Sequence, residues 1–439
     1  MIRDIPFNSI NHPIPYTCTS EIVSEILRLI PTFFFLPTRS IGIQCNPTRH
    51  RTRLKQRNLR LESNKLQNGA FLLGPAAHRD PTRIDYGIMK STEFFYWVES
   101  ESGFGFTHNE RTVREMAIVL VKANKVNKLW DFLKEMSRRQ NGELGLITTM
   151  SITCLMKCLS EEGLVNEAMR VFYRMKQLQC KPDVYAYNTM ILGLCRVGFF
   201  KKAKDLLHQM ELPGFGYPPD TYTYTILISS YCKYALQTGC RKAIRRRVWE
   251  ANHLFRLMLF KGFVPDIVTY NSLIDGCCKT NRIGRSLELF EDMKKRGCLP
   301  NRVTYDSLIR YYSVVNEVDK GIEMLRSMQE LNHGSPTTSS YTPIIHGLCE
   351  VGRVSEASKF LVEMVNGGLV PREYTYKLVL DALLSYQKSD LLDDVTRTRI
   401  RDGILHRYDE RKKGKLFMNR KNYALVIQED DRHQLNTKF

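Results

Sequence analysis

Apolar residues recur along the chain at helical spacing, and the pattern itself repeats. In the segment 267–301, IVTYNSLIDGCCKTNRIGRSLELFEDMKKRGCLPN, residues Tyr270, Leu273, Ile274 and Cys277 stand at i, i+3, i+4 and i+7. That spacing marks one buried helix face. Leu287, Leu289, Phe290 and Met293 form a second stripe. Thr269 is predicted to cap the first helix, and Asn281 begins the break between the two. Gly297 stands where a glycine past a helix end belongs, and Pro300 stops the chain three residues later. The segment therefore reads as two helices joined by a tight turn.

Near-copies follow one another in register, at 110–148, 149–183, 184–220, 221–266, 267–301, 302–337 and 338–372, with a partial copy at 373–386. The Gly-x-x-Pro ending recurs at Gly262–Pro265 and Gly368–Pro371. The stretch 94–109 resembles the second half of a unit, so 71–109 is read as a degenerate half repeat and 387–439 as a charged helix and tail. A hairpin this short cannot bury both apolar faces alone. Stacking on its neighbours buries them, which predicts an all-α fold, an α-solenoid of helix-turn-helix units about 35 residues long.

Composition adds a sign to this picture. The chain of 439 residues is 43% hydrophobic, with a formal net charge of +19. The surplus suits a polyanion, nucleic acid first and an anionic membrane surface second. Part of it lies in an amino-terminal arm. Between Glu25 and Glu62 there is no acidic residue, while Arg28, Arg39, Arg49, Arg51, Arg53, Lys55, Arg57 and Arg60 all fall there. Residues 1–70 are accordingly read as an organellar transit peptide and disordered basic arm, outside the fold. No apolar run is long enough to span a bilayer, so no membrane insertion is expected. The twelve cysteines include no Cys-x-x-Cys, and adjacent Cys277 and Cys278 are read as reduced, buried thiols. Cys278 shares its place in the unit with Cys195, Cys232 and Cys349.

The units resemble the pentatricopeptide repeat, P-type, at positions such as VTYNSLIDGCCK and SLELFEDMKKRGCLPN. The tetratricopeptide repeat, a protein-binding module of similar length, has a Trp-Leu-Gly-Tyr pattern that is missing. The resemblance implies a right-handed solenoid that binds single-stranded RNA, one base per repeat. It further implies that the fifth and last residues of a unit flank one base edge. These pairs are Thr153 with Asp183, Asn188 with Asp220, Thr225 with Asp266, and Asn271 with Asn301. By resemblance they read guanine, uracil, guanine and a pyrimidine, running 5′ to 3′ as the chain runs from its amino end. Asp306 with Thr337 and Thr342 with Arg372 depart from the pattern and receive no base. The second residue of a unit would pack on base faces, which points to Tyr185, Tyr222, Val268 and Val303. Arg196, Lys233 and Lys279 would either face phosphates or complete the dipole at a helix end. For any one Asn or Asp, capping a helix is the competing role.

The unit 221–266 is longer than the rest, and the excess falls near QTGCRKAIRRRVWEAN at 237–252. This basic stretch is either a further phosphate contact or partner surface, or a solvated lengthening of one hairpin. Ala243, Ile244, Val248 and Trp249 are spaced to bury one side of a helix there. Nothing points to catalysis. Asp390, Asp393 and Asp394 are followed by too few residues for a nuclease domain and are read as a helix start. No cofactor or metal is expected. The reading is a monomeric binder of an organellar transcript, mitochondrial or alternatively plastid, acting in RNA processing, stability, splicing or translation, alone or beside other RNA-processing proteins. The alternatives are a protein-interaction solenoid that scaffolds an organellar complex, and membrane or ribosome association through the basic arm.

Overall fold

The computed structural model describes residues 19–35, 80–100, 106–139, 145–214, 216–235, 241–387 and 389–409. Every regular element among the described residues is helical. The chain divides into two compact units, Met1–Tyr234 with His253–Val264, and Ala235–Asn252 with Pro265–Phe439.

The first unit carries α1 (Ser20–Phe34), α2 (Pro81–Ser100), α3 (Glu110–Lys122), α4 (Val126–Arg139), α5 (Thr149–Glu161), α6 (Val165–Tyr173), α7 (Val184–Arg196), α8 (Phe200–Met210) and α9 (Thr221–Ala235). Helices α3 and α4, α5 and α6, and α7 and α8 pair as hairpins. The leading helix of each hairpin also packs on the next, α3 on α5 and α5 on α7.

Helix α10 (Arg241–Phe260) contributes to both units. The second unit continues with α11 (Ile267–Lys279), α12 (Ile283–Lys295), α13 (Arg302–Val314), α14 (Val318–Glu330), α15 (Thr338–Glu350), α16 (Val354–Asn366) and α17 (Glu373–Ser385). Its hairpins are α11–α12, α13–α14 and α15–α16, and its leading helices α11, α13, α15 and α17 pack in succession. The residues 394–409 form a last helix, whose first turn Asp393 caps by accepting from the Thr396 N–H at 3.1 Å.

The stripes explain the pairing. Tyr270, Leu273, Ile274 and Cys277 are fully buried on α11, and Leu289, Phe290 and Met293 are buried on α12. Leu287 departs from the expected stripe: it is half-buried, and Ser286 takes the buried place, 3.2 Å from the Cys278 thiol. Burial pushes that thiol up to about 11 and Cys195 up to about 12, so both stay neutral. Each turn from a leading to a trailing helix needs one left-handed residue. Asn281 (φ 58°) and Asn316 (φ 62°) supply it in two hairpins, and Gly198 and Gly352 in others. Gly297, at φ 74°, ends α12, with the Cys298 N–H reaching back to the Met293 carbonyl at 3.0 Å.

A buried tyrosine stands at the fourth position of the units from 184 onward. The Tyr270 hydroxyl donates to Asp292 at 2.7 Å and that of Tyr341 to Glu363 at 3.0 Å, each tying its own hairpin, while Tyr224 reaches back to Glu211 of the preceding hairpin at 2.7 Å. Burial and the carboxylate acceptor together hold these phenols above their ordinary range. Asp292 keeps Arg296 as a second partner and is partly solvated. Tyr270→Phe is therefore expected to lower stability by about 1–1.5 kcal/mol, read by urea denaturation. Combining it with Asp292→Asn should then cost little more, and full additivity would show that the bond contributes nothing.

Two expectations need correction. Thr269 does not cap α11. The helix begins after Asp266, whose carboxylate accepts from the Thr269 N–H at 2.8 Å and the Thr269 hydroxyl at 2.7 Å. The acid is the better acceptor, and it leaves the threonine buried in the first turn. The second correction concerns the amino-terminal arm. Residues 20–34 form α1, which packs on α2 and α3 with Val23, Leu27 and Ile30 buried. Arg28 reaches Glu115 of α3 at 3.1 Å. Thus α1 acts as the leading helix of a hairpin whose trailing helix is α2. The rest of the transit and basic arm, like the tail beyond 409, lies outside the described residues.

The long α10 has 20 residues where α12, α14 and α16 each have 13. The excess precedes Val248, which is fully buried, and carries exposed Lys242, Arg245 and Arg246. Trp249 is not on the buried side as expected but exposed. No helix among the described residues is long and apolar enough to cross a membrane.

Candidate nucleic-acid interface

The last residue of each unit is the N-cap of the next leading helix. Asp183 accepts from the Ala186 N–H at 2.7 Å, Asp220 from Thr223 at 2.7 Å, and Asn301 from Thr304 at 3.3 Å. Thr337 accepts from Ser339 at 3.3 Å. Arg372 is exposed and makes no cap bond from its side chain. These residues thus perform the competing role weighed for them, and it does not exclude the other. A cap carboxylate has a second oxygen. Asp220 spends Oδ1 on the Thr223 N–H and the Asn188 side-chain amide, and its Oδ2 makes no hydrogen bond among the described residues.

Two of the expected pairs are joined directly. Asn188 Nδ2 donates to Asp220 Oδ1 at 3.3 Å, and Asn271 Nδ2 donates to Asn301 Oδ1 at 3.2 Å. A third residue, absent from the expected set, completes each group. The hydroxyl of Thr223 donates to Asn188 Oδ1 at 2.8 Å, and that of Thr304 to Asn271 Oδ1 at 2.6 Å. Both threonines are the third residue of the next leading helix. Asp306 belongs to the same pattern, since Ser340 donates to its Oδ1 at 2.6 Å. The hydroxyl row (Thr223, Thr269, Thr304, Ser340, Thr375) was present in the sequence at 35-residue spacing from Thr269 to Thr304, and it reads there only as a run of capping-type residues.

The other fifth-position residues are placed differently. The hydroxyls of Thr153 and Thr225 donate back to their own helices, to the Thr149 carbonyl at 2.7 Å and the Thr221 carbonyl at 3.0 Å. No hydrogen bond joins Thr153 to Asp183 among the described residues, since the single Thr153 proton goes to the Thr149 carbonyl, and Ala186 at the third position of α7 offers no hydroxyl there. Thr225 and Asp266 fall in different units, and each is described in its own. The Thr342 hydroxyl is buried without a partner.

Beside these polar groups runs an exposed apolar position. Tyr185 is 55% and Tyr222 51% exposed in the first unit, and Val268 and Val303 are each 49% exposed in the second. Met150 in the first unit and Tyr374 in the second hold the same position and are exposed as well, while Ser339 is the polar exception. Such side chains on otherwise well-packed leading helices stand open to a flat apolar ligand. The three cations differ from one another. Arg196 pairs with Glu161 at 3.4 Å, Lys279 pairs with Asp275 of its own helix, and Lys233 is exposed. A surface pair contributes about 0–1 kcal/mol, so a phosphate would displace either carboxylate at small cost. No group of His, Cys, Asp and Glu among the described residues is arranged to hold a metal.

A model of the PPR repeat family matches residues 148–196, 182–233, 243–279, 265–313 and 336–385, and a PPR repeat model matches 303–333. A pentatricopeptide repeat-containing protein of Arabidopsis thaliana is 59% identical over 423 residues, covering 96% of this chain and 92% of that one. A chloroplastic member from the same plant is 24% identical over 227 residues, covering 51% of this chain and 28% of its own length. Among solved structures, maize PPR10 aligns over 91% of this chain and 63% of its own, with a TM-score of 0.41 and 18% identity. With the family models matching from 148 to 385 and one relative alike along almost the whole length, the chain belongs to the pentatricopeptide repeat family.

Proposed function

We propose that the protein binds single-stranded RNA sequence-specifically, as a P-class member acting without catalysis on an organellar transcript, mitochondrial in the first instance and plastid in the second. The observation that carries this reading is that the pairs Asn188–Asp220 and Asn271–Asn301 are each joined, the first member on a leading helix that also exposes an apolar side chain, Tyr185 and Val268 in turn. A base has a flat face and a polar edge, and these two repeats offer one surface for each. The basic balance of the chain supports a polyanionic ligand. The role in RNA processing, stability, splicing or translation belongs to the same proposal, as does the domain plan of a solenoid over 110–386. A protein-binding scaffold has no need of a joined polar pair beside an exposed apolar side chain at the same positions of two repeats.

The test is a change of preference at one base. Asn188 presents an amide whose Oδ1 is held by Thr223 and whose Nδ2 leans on Asp220. Asn188→Thr removes both amide atoms and leaves Asp220 with its cap bonds. Selection from a random RNA pool is expected to move the second base of the motif from uracil toward guanine, by about tenfold in relative affinity. The flanking bases should not change. An identical motif for both proteins would reject the register.

A further inference from the structure

The repeat 302–337 departs from the others at one atom. Three hydroxyls, from Thr223, Thr304 and Ser340, each fix Oδ1 of the fifth residue in the preceding unit, at 2.8, 2.6 and 2.6 Å. In two cases that residue is asparagine, and its other terminal atom is the donor Nδ2. In the third it is Asp306, and the atom in the corresponding place is Oδ2, an acceptor. The hydrogen-bonding sense of the position is thereby reversed while its shape is kept.

The surroundings of Asp306 leave that acceptor unanswered. The residue is 8% exposed, and burial holds its carboxyl above the ordinary range. Its only hydrogen bond among the described residues is the one from Ser340, and Oδ2 is not among the sealed polar atoms. Arg302 and Arg310 act on it electrostatically without pairing, Arg310 lying instead 3.7 Å from Asp275. Oδ2 is thus the open atom of a largely buried carboxylate, poorly hydrated there, and a ligand that supplies donors to it relieves part of the cost of that burial. The last residue of the unit, Thr337, accepts from the Ser339 N–H at 3.3 Å and keeps its own proton to donate.

We infer that this repeat selects guanine, with Asp306 as the residue that decides it. Guanine alone carries two adjacent donors, N1–H and the N2 amino group, on its Watson–Crick edge. Uracil sets acceptors on either side of its single N–H, and these would meet the carboxylate. Cytosine and adenine each offer one amino group beside an acceptor. The inference rests on the RNA-binding reading above and assigns a base to a repeat that the family resemblance leaves blank.

The experiment is selection from a random RNA pool with the full-length protein, its Asp306→Asn variant and its Asn271→Asp variant. Asp306→Asn is isosteric and still accepts from Ser340, so folding should be kept, as a thermal melt will report. In the unaltered protein the motif is expected to carry guanine directly 3′ of the pyrimidine aligned with Asn271. Asp306→Asn should move that position to a pyrimidine and weaken binding to the guanine oligonucleotide about tenfold. Asn271→Asp should bring guanine to the preceding position. A motif that holds at the upstream repeats but shows no preference, adenine or a pyrimidine at this one overturns the inference and leaves RNA binding standing. A motif unmoved by either variant also overturns it. Failure of the unaltered protein to bind any RNA overturns both.

Discussion

Leu27→Asp is expected to destabilise the first unit by about 4 kcal/mol or more. Leu27 is fully buried in α1 between Val23 and Ile30, against α2 and α3. A carboxylate placed there has neither water nor a cation to solvate it, and it must either protonate or pull α1 away. Loss of α1 would bare the apolar face of α3, where Val113, Met116 and Leu120 are buried. Leu29→Asp is the control: it lies on the same helix but is 49% exposed, so its effect should stay within about 0.5 kcal/mol. Hydrogen exchange at residues 110–122 reads both outcomes, since an open α3 exchanges faster. The result also bears on processing. A helix whose removal uncovers a core face belongs to the folded protein, so any presequence is expected to end before Ser20. Sequencing the amino terminus of the mature protein checks this. If Leu27→Asp is as silent as Leu29→Asp, then α1 contributes nothing to the unit.

The same helix shows where sequence patterns serve and where they stop. Val23, Leu27 and Ile30 stand at i, i+4 and i+7, a stripe as regular as that of α11. What hides it is a neighbouring signal, the absence of acids from 26 to 61, which fits a transit segment equally well. A helix that packs on partners far along the chain has no local mark to distinguish it from an amphipathic presequence. The repeats read more easily because seven copies report on each other. Tyr270, Cys277 and Gly297 each take a role that their register alone implies. The errors are those that register cannot correct. Thr269 and Asp266 are both capping residues, and only the observed helix start says which one caps. Leu287 and Ser286 are adjacent on a helix, and the tighter place goes to the smaller side chain, facing Cys278. The hydroxyls of Thr223, Thr304 and Ser340 show the same limit at the candidate interface. Their bonds run between successive units, 33 to 35 residues apart, and periodicity within one unit cannot display them.

Removing the exposed aromatics should affect RNA and nothing else. Tyr185 and Tyr222 lie on α7 and α9, outside the core, so Tyr185→Ala and Tyr222→Ala should each change stability by less than about 0.5 kcal/mol. If each ring stacks one base, each substitution weakens RNA binding by about 1–3 kcal/mol, or roughly 5- to 150-fold. Fluorescence anisotropy with a short RNA of the selected motif, at one fixed salt concentration, measures this. Neither ring contacts a phosphate in the proposed arrangement, so the slope of log affinity against log salt should not move. That separates stacking from a general weakening of the basic surface, which would flatten the slope. Tyr173→Ala supplies the control. This ring is as exposed as the other two, but it sits on the trailing helix α6 rather than at the second position of a leading helix. It should therefore leave RNA binding unchanged. Were the chain a protein scaffold, exposed tyrosines on leading and trailing helices would be equivalent toward RNA, and none of the three substitutions would discriminate. A loss at Tyr185 and Tyr222 with none at Tyr173 assigns the ligand to the leading-helix face, because only there does a stacking surface stand beside the polar pair proposed to read an edge.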